Sequence, residues 1–385
     1  MSKTGIAFID LSAQRRRLGA RIDRAVARVL DHGRFILGPE VAELEERLQT
    51  FSGARHCITC ANGTDAIELA LSALNIGPGD GVVVPAFSYV ATAEAVLRVG
   101  AVPIFADVDM GTFNLCPTST EAAIKVGKDL GLTVRCIMPV DLFGQPADYA
   151  AMREIARAHD LKIVADAAQS FGARQAGHGV GSLADITTTS FYPSKPLGCY
   201  GDGGAIFTDD AALTELLRSL RCHGQGSGGG FVRVGRNSRL DTIQAAVLIE
   251  KLSAFEDEIE MRSAVADRYA QRLAAPILAP EVVAGNTSVW AQYTVRVPDA
   301  RDDVVAACRA GGVPIAVHYA TPLHRLPPYR HCPAAPRLER AEALSREVFS
   351  LPMHADLDER TQDIVIETMH RAISGRASKS LHAHA

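Results

Sequence analysis

Residues 57–105 read CITCANGTDAIELALSALNIGPGDGVVVPAFSYVATAEAVLRVGAVPIF. Short apolar runs at 57–60, 82–85 and 102–105 are strand-like, and between them 64–74 and 91–99 carry helical spacing. Strands alternating with helices are the pattern of a parallel sheet with both faces covered. The alternation continues downstream. Strand-like runs stand at 136–140, 163–165, 186–191 and 205–208, with a helical stretch at 147–159. Upstream, PEVAELEERLQTF at 39–51 places Val41, Leu44, Leu48 and Phe51 on one helical face, with Pro39 near its start. The expected fold class is α/β: a mostly parallel central sheet sandwiched by helices.

The pattern changes after about residue 240. Residues 240–275 read as one long helix, straight or kinked, and 289–297 alternates like an antiparallel strand. A helix at 304–309, an extended run at 314–319 and two closing helices follow. This predicts a large domain over 1–240 with an N-terminal helical segment. A connecting helix and a small α+β domain cover 241–376, and 377–385 is a tail read as a frayed terminus. The glycine-rich patch GQGSGGG at 224–230 reads as exposed loop or as a mobile flap over a site.

Composition excludes several classes. The chain has 385 residues, 47% of them apolar and 22% charged, which fits a globular protein of two or three domains and not a disordered or collagenous one. Net charge is −4, against the basic face that nucleic-acid binding needs. No apolar stretch is long enough to span a bilayer, and residues 1–10 do not resemble an export signal. Of eight cysteines only Cys57 and Cys60 stand at CxxC spacing, with no second pair, so no structural zinc is expected. Scattered thiols fit a reducing cytoplasm.

Three features point to a cofactor site at the carboxyl ends of the strands, where open α/β sheets bind ligands. In Asn62-Gly63-Thr64-Asp65, between a strand and a helix, free N–H groups and a hydroxyl form a phosphate cradle, although Thr64 or Asp65 could simply cap the helix. Asp166 ends the apolar run Ile163-Val164-Ala165, where a carboxylate needs a cationic or hydrogen-bonding partner. A protonated pyridine nitrogen would serve, as would nearby backbone. Lys195 follows a strand in SFYPSKPLGCYGDGGA (190–205), and poor solvation there would lower its pKa and make the amine nucleophilic. A surface lysine is the plainer alternative. An Asp and a Lys two strands apart is how pyridoxal phosphate is held.

Nine motifs then carry a resemblance from about Ile9 to Leu357. They include GPEVAELE (38–45), FSYVATAEAV (87–96), DLFGQPAD (141–148), DAAQSFGA (166–173), GRNSRLDTIQAAVL (235–248) and HYATPLH (318–324). The chain resembles nucleotide-sugar aminotransferases of the DegT/DnrJ/StrS type, which have the fold-type-one, aspartate-aminotransferase-like architecture. The block 190–205 is especially similar to that of members that aminate C3 of UDP-2-acetamido-2-deoxy-3-oxo-glucuronate for surface polysaccharide. The resemblance implies pyridoxal 5′-phosphate, cycling through pyridoxamine phosphate, with L-glutamate as donor and a keto-sugar nucleotide as acceptor. It makes Lys195 the Schiff-base lysine and proton shuttle, and Asp166 the partner of the pyridine nitrogen. Gln169 lies near the ring hydroxyl, Tyr89 stacks on the ring, and Thr64, the Asp65 backbone and Ser190 hold the phosphate. Asn237 and Arg239 are donated by the second subunit of a homodimer, to the phosphate and to a carboxylate. His318 and Tyr319 line the sugar pocket. The same resemblance leaves neutral 3-oxo or 4-oxo sugars open as acceptors. Related dehydratases carry His where Lys195 stands. A non-catalytic paralogue would not need Lys195, Asp166 and Gln169 together. A hydrolase reading at Ser170 fails because Ala168 stands where the nucleophile elbow needs Gly.

Overall fold

The computed structural model describes residues 5–298 and 300–383, with side chains to residue 374. The chain opens with α1 (Leu11–His32) and α2 (Pro39–Ser52). Helix α1 buries Leu18, Ile22, Ala25 and Val29, one stripe at helical spacing, and ends at Gly33 in the left-handed conformation. Then β1 (His56–Cys60), α3 (Gly63–Ala73), β2 (Asp80–Pro85), α4 (Ala91–Arg98) and β3 (Val102–Ala106) alternate as the opening stretch predicts. The alternation runs on through α5 (Pro117–Asp129), β4 (Thr133–Ile137), α6 (Tyr149–His159) and β5 (Lys162–Asp166). A short hairpin, β6 (Arg174–Gln175) with β7 (His178–Gly179), precedes β8 (Ile186–Ser190), β9 (Gly204–Thr208) and α7 (Ala211–Arg221).

Seven strands form one sheet in the order β1-β9-β8-β5-β4-β2-β3. Only β9 runs against its neighbours in that sheet. The carboxyl ends of β1, β5 and β8 therefore share one edge. Because the hairpin β6–β7 stays outside the sheet, β5 pairs directly with β8. Asp166 and Lys195 thus belong to adjacent strands, closer than the two-strand separation read from the sequence.

The expected single helix over 240–275 is two: α8 (Thr242–Leu252) and α9 (Phe255–Arg272). The break lets one chain serve two cores. Phe255 stacks on Phe171 with ring centroids 6.2 Å apart, beside Leu248 of α8. Val265, Ala266 and Tyr269 of α9 pack instead with β10 (Tyr293–Arg296), α10 (Arg301–Ala310), β11 (Val348–Leu351) and α12 (Glu359–Ala383). Strands β10 and β11 form a separate antiparallel pair. The strand expected over 289–297 shortens to β10 because Trp290 takes a positive φ of 49°. The run at 314–319 gives one bridge, Ala316 to Ser350. Helix α11 (Glu339–Glu347) leads into β11. The tail read over 377–385 falls on α12, which continues to Ala383 through a stretch with no proline to stop it; residues 384–385 lie outside the described residues. The 224–230 patch closes a tight hairpin, with Gly226 N–H on the Gly230 carbonyl at 2.8 Å and a bridge between Gln225 and Phe231.

Candidate active site

The α3 N-terminus is built by one cap. The Asn62 side chain accepts from the Asp65 N–H at 2.8 Å, so Asn62, not Thr64 or Asp65, is the N-cap. The Asp65 N–H, expected on the phosphate, is thereby taken by Asn62, and Asp65 does not line the cavity described next. The first-turn N–H groups of Gly63 and Thr64 take no partner among the described residues. Gly63 permits this helix end to touch the end of β8: a Cβ on it would stand 2.7 Å from the Ser190 Cβ. The result is an anion cradle of two N–H groups and the Ser190 hydroxyl.

Beside it opens a cavity of about 520 Å³ lined by Thr64, Tyr89, Asp166, Gln169, Ser190, Lys195, His318 and Tyr319. Asp166 is 6% exposed. Its Oδ1 accepts from the Ala168 N–H and its Oδ2 from Thr92 Oγ1, both at 3.2 Å; Thr92 is in turn 3.0 Å from Ser88 Oγ. Burial pushes the Asp166 carboxyl up, and the Lys195 ammonium together with these hydrogen bonds pulls it back. Lys195 shows the converse: burial pushes its amine down and Asp166 opposes the shift. The Lys195 Nζ has no hydrogen-bond partner among the described residues. An unpartnered, poorly solvated amine facing a cavity is a nucleophile awaiting a carbonyl.

Gln169 is held at both ends, with Oε1 accepting from the Phe143 N–H at 2.7 Å and Nε2 donating to the Tyr319 hydroxyl at 3.2 Å. Tyr319 packs edge-on against Phe87, and Tyr89 lies 6.2 Å from the Tyr319 ring while remaining half exposed. His318 Nδ1 sits 2.9 Å from Ser350 Oγ, and burial and the Lys195 charge lower its pKa. Asn237 and Arg239 do not line this cavity. Asn237 is exposed, and the Arg239 Nε is buried with no partner.

The cavity also holds Ser88, Tyr192, Ser194, Asp202 and Gln292, to which sequence reasoning gave no role. Ser88 and Thr92 stand four residues apart, a spacing that could have flagged them. Gln292 arrives from the loop before β10 with no local signal, and its Oε1 is buried and unpartnered.

An anion cradle, an amine, a carboxylate on a neighbouring strand and an aromatic ring over one cavity fit a phosphorylated pyridine aldehyde. Fold and site together define a pyridoxal-phosphate enzyme. The chain belongs to the DegT/DnrJ/EryC1/StrS aminotransferase family, whose profile matches residues 16–370. It is 48% identical to UDP-2-acetamido-2-deoxy-3-oxo-D-glucuronate aminotransferase of Pseudomonas aeruginosa, over 94% of this chain and 98% of that protein. A DegT DnrJ EryC1 StrS aminotransferase from Brucella abortus superposes with a TM-score of 0.93 at 47% identity, covering 95% of this chain and 98% of that one. DesV of S. venezuelae, solved in complex with a ketimine intermediate, superposes at 0.90 with 39% identity, over 96% and 98%. The chain is a pyridoxal-phosphate aminotransferase.

Proposed function

We propose that this enzyme moves the amino group of L-glutamate to C3 of UDP-2-acetamido-2-deoxy-3-oxo-glucuronate, a step toward surface polysaccharide such as O-antigen. The observation that carries the reading is near full-length identity of 48% to a relative of that name, on a chain whose cavity brings Lys195, Asp166, Gln169 and Ser190 together.

When bound, pyridoxal phosphate supplies a carbonyl that exchanges amines and a ring that withdraws electrons. The Gly63 and Thr64 N–H groups and the Ser190 hydroxyl hold its phosphate. Asp166 keeps a proton on the pyridine nitrogen, with Thr92 and Ala168 orienting the carboxylate. Tyr89 would lie against the ring and Gln169 near its hydroxyl, both from the cavity wall. Lys195 would hold the cofactor's aldehyde and would move the proton delivered to C3 of the sugar. His318 and Tyr319 line the sugar pocket.

The working form in this reading is a homodimer with shared sites. Exposed apolar side chains cluster around the Asn237–Arg239 segment: Phe35, Ile36 and Leu37 beside it, and Phe231, Val232 and Val234 on the preceding hairpin, Val234 at 93% exposure. The Ile36–Asp241 bridge ties the two stretches together. A second copy would cover them. Asn237 then reaches the partner site's phosphate, and Arg239 binds a substrate carboxylate by two hydrogen bonds. All eight cysteines are free thiols, which supports a cytoplasmic setting. Among the described residues no helix is long and apolar enough to cross a membrane.

The test is amino transfer from glutamate to a panel of UDP- and dTDP-linked 3-oxo and 4-oxo sugars, acidic and neutral. The expected result is a kcat/KM for the UDP-3-oxo uronate at least about tenfold above every neutral sugar. Preference for a neutral sugar overturns the substrate assignment. Lys195→Ala is expected to abolish both transfer and the yellow colour of the bound cofactor.

A further inference from the structure

Helix α8 carries a buried cation that the reaction does not use. Lys251 is 2% exposed, and its Nζ donates to the Gly198 carbonyl at 2.6 Å. The Tyr200 ring lies 4.5 Å from the same ammonium. Burial pushes this amine down to about 8, with the more distant Glu258 and Cys199 opposing the shift. An ammonium is costly to bury, and a methionine would fill the same space without that cost. Packing alone does not account for it.

Its acceptor lies in the turn that carries Lys195. Gly198 lies flat on that turn: a Cβ there would stand 2.5 Å from the Pro193 carbonyl oxygen and 2.7 Å from that of Tyr192. The Tyr192 carbonyl in turn accepts the Lys195 N–H at 2.8 Å. Two turns earlier on α8, Gln244 Oε1 accepts the Tyr200 N–H at 2.8 Å. Residues seven apart share one face of a helix, so α8 grips the 198–200 backbone at two points. Both strand-side ends of the loop are fixed as well, by Phe191 N–H to the Gly203 carbonyl and Cys199 N–H to the Phe191 carbonyl, each at 2.7 Å.

We propose that Lys251, with Gln244, is a positioning residue for Lys195: it fixes the Gly198 carbonyl and so sets where the Lys195 amine enters the cavity. The proposal rests on the reading of Lys195 as the amine that binds the cofactor aldehyde. Displacing a reacting group by a fraction of an ångström is enough to slow its attack.

The experiment separates binding from capture. Apoprotein is titrated with pyridoxamine phosphate, which has no carbonyl for a lysine to attack, and mixed with pyridoxal phosphate while the yellow colour is followed. Lys251→Met is expected to slow colour formation roughly tenfold or more. The Kd for pyridoxamine phosphate stays within about twofold of the unsubstituted protein, because cradle and carboxylate are untouched. Gln244→Ala is expected to show the same split, and it alone decides the matter should Lys251→Met fail to fold. Equal losses in capture and in pyridoxamine phosphate binding, or no slowing of capture, overturn the positioning role. An unsubstituted protein that binds pyridoxamine phosphate yet never turns yellow overturns the underlying reading of Lys195 instead.

Discussion

At the scale of single residues the site is a pair of charges held in unfavourable surroundings. Burial lowers the Lys195 pKa from 10.5, and Asp166 raises it back. A lowered value means that neutral amine is present at lower pH than on an ordinary lysine. The rate at which apoprotein captures pyridoxal phosphate should therefore rise with pH through a midpoint below 10.5. Asp166→Asn removes the opposing attraction, so its midpoint should move further down. Rapid-mixing absorbance across the alkaline range checks both, and an upward move would show that Asp166 does not act on Lys195 through its charge. The residues of this pair were legible in the sequence because each stands at or just beyond a strand end, where a polar residue breaks an apolar run. Gln292 and Lys251 were not, and Thr92 only through its four-residue spacing from Ser88. Thr92 and Lys251 lie within helical patterns, Gln292 lies in an irregular loop, and what each does depends on which distant carboxylate, cavity or carbonyl the fold brings to it.

At the scale of elements, the first turn of α3 is proposed to do the work of phosphate recognition. Its two free N–H groups exist as a cradle only because the Asn62 side chain takes the Asp65 N–H and because residue 63 has no Cβ. Gly63→Ala should force the helix end off β8, since the clash is with the Ser190 Cβ and Cα and not with a flexible tip. The expected outcome is a folded protein whose Kd for pyridoxamine phosphate rises at least about tenfold, a loss that two charge-assisted hydrogen bonds would explain. Calorimetric titration measures it, and an unchanged Kd would place the phosphate elsewhere. The glycine and the cap were visible in NGTD, but which residue caps was not, since Asn62, Thr64 and Asp65 are all competent. Helix α8 poses the same difficulty in another form. Its apolar period passes into α9 without interruption, and the break at 253–254 is set by Phe255 reaching Phe171, a contact 84 residues away in the chain that local spacing does not encode.

At the scale of the whole molecule, the segment 235–239 is rooted in one place and directed to another. Arg236 pairs with Glu68, a fully buried carboxylate on α3 that also pairs with Arg98. The backbone is fixed to α7 by Arg236 N–H on the Leu220 carbonyl at 2.7 Å and Ser238 N–H on the Arg221 carbonyl at 3.0 Å. The helix proposed to hold one site's phosphate thus also anchors the segment proposed to complete the other site. The side chains of Asn237, between these anchors, and of Arg239, just beyond them, find no partner among the described residues. If the segment acts across the dimer, Lys195→Ala and Arg239→Ala are defects of different halves of one site. Each homodimer should be nearly inactive. A hybrid places both defects in one site and leaves the other with an intact lysine and an intact arginine. Random exchange of equal amounts makes half the dimers hybrid, so mixing should restore about a quarter of the unsubstituted activity. Were the segment to serve its own chain, every site in the mixture would carry one defect and mixing would restore nothing. The recovered fraction of amino transfer, measured after reversible dissociation of the mixed proteins, distinguishes the two arrangements without reference to which sugar is the acceptor.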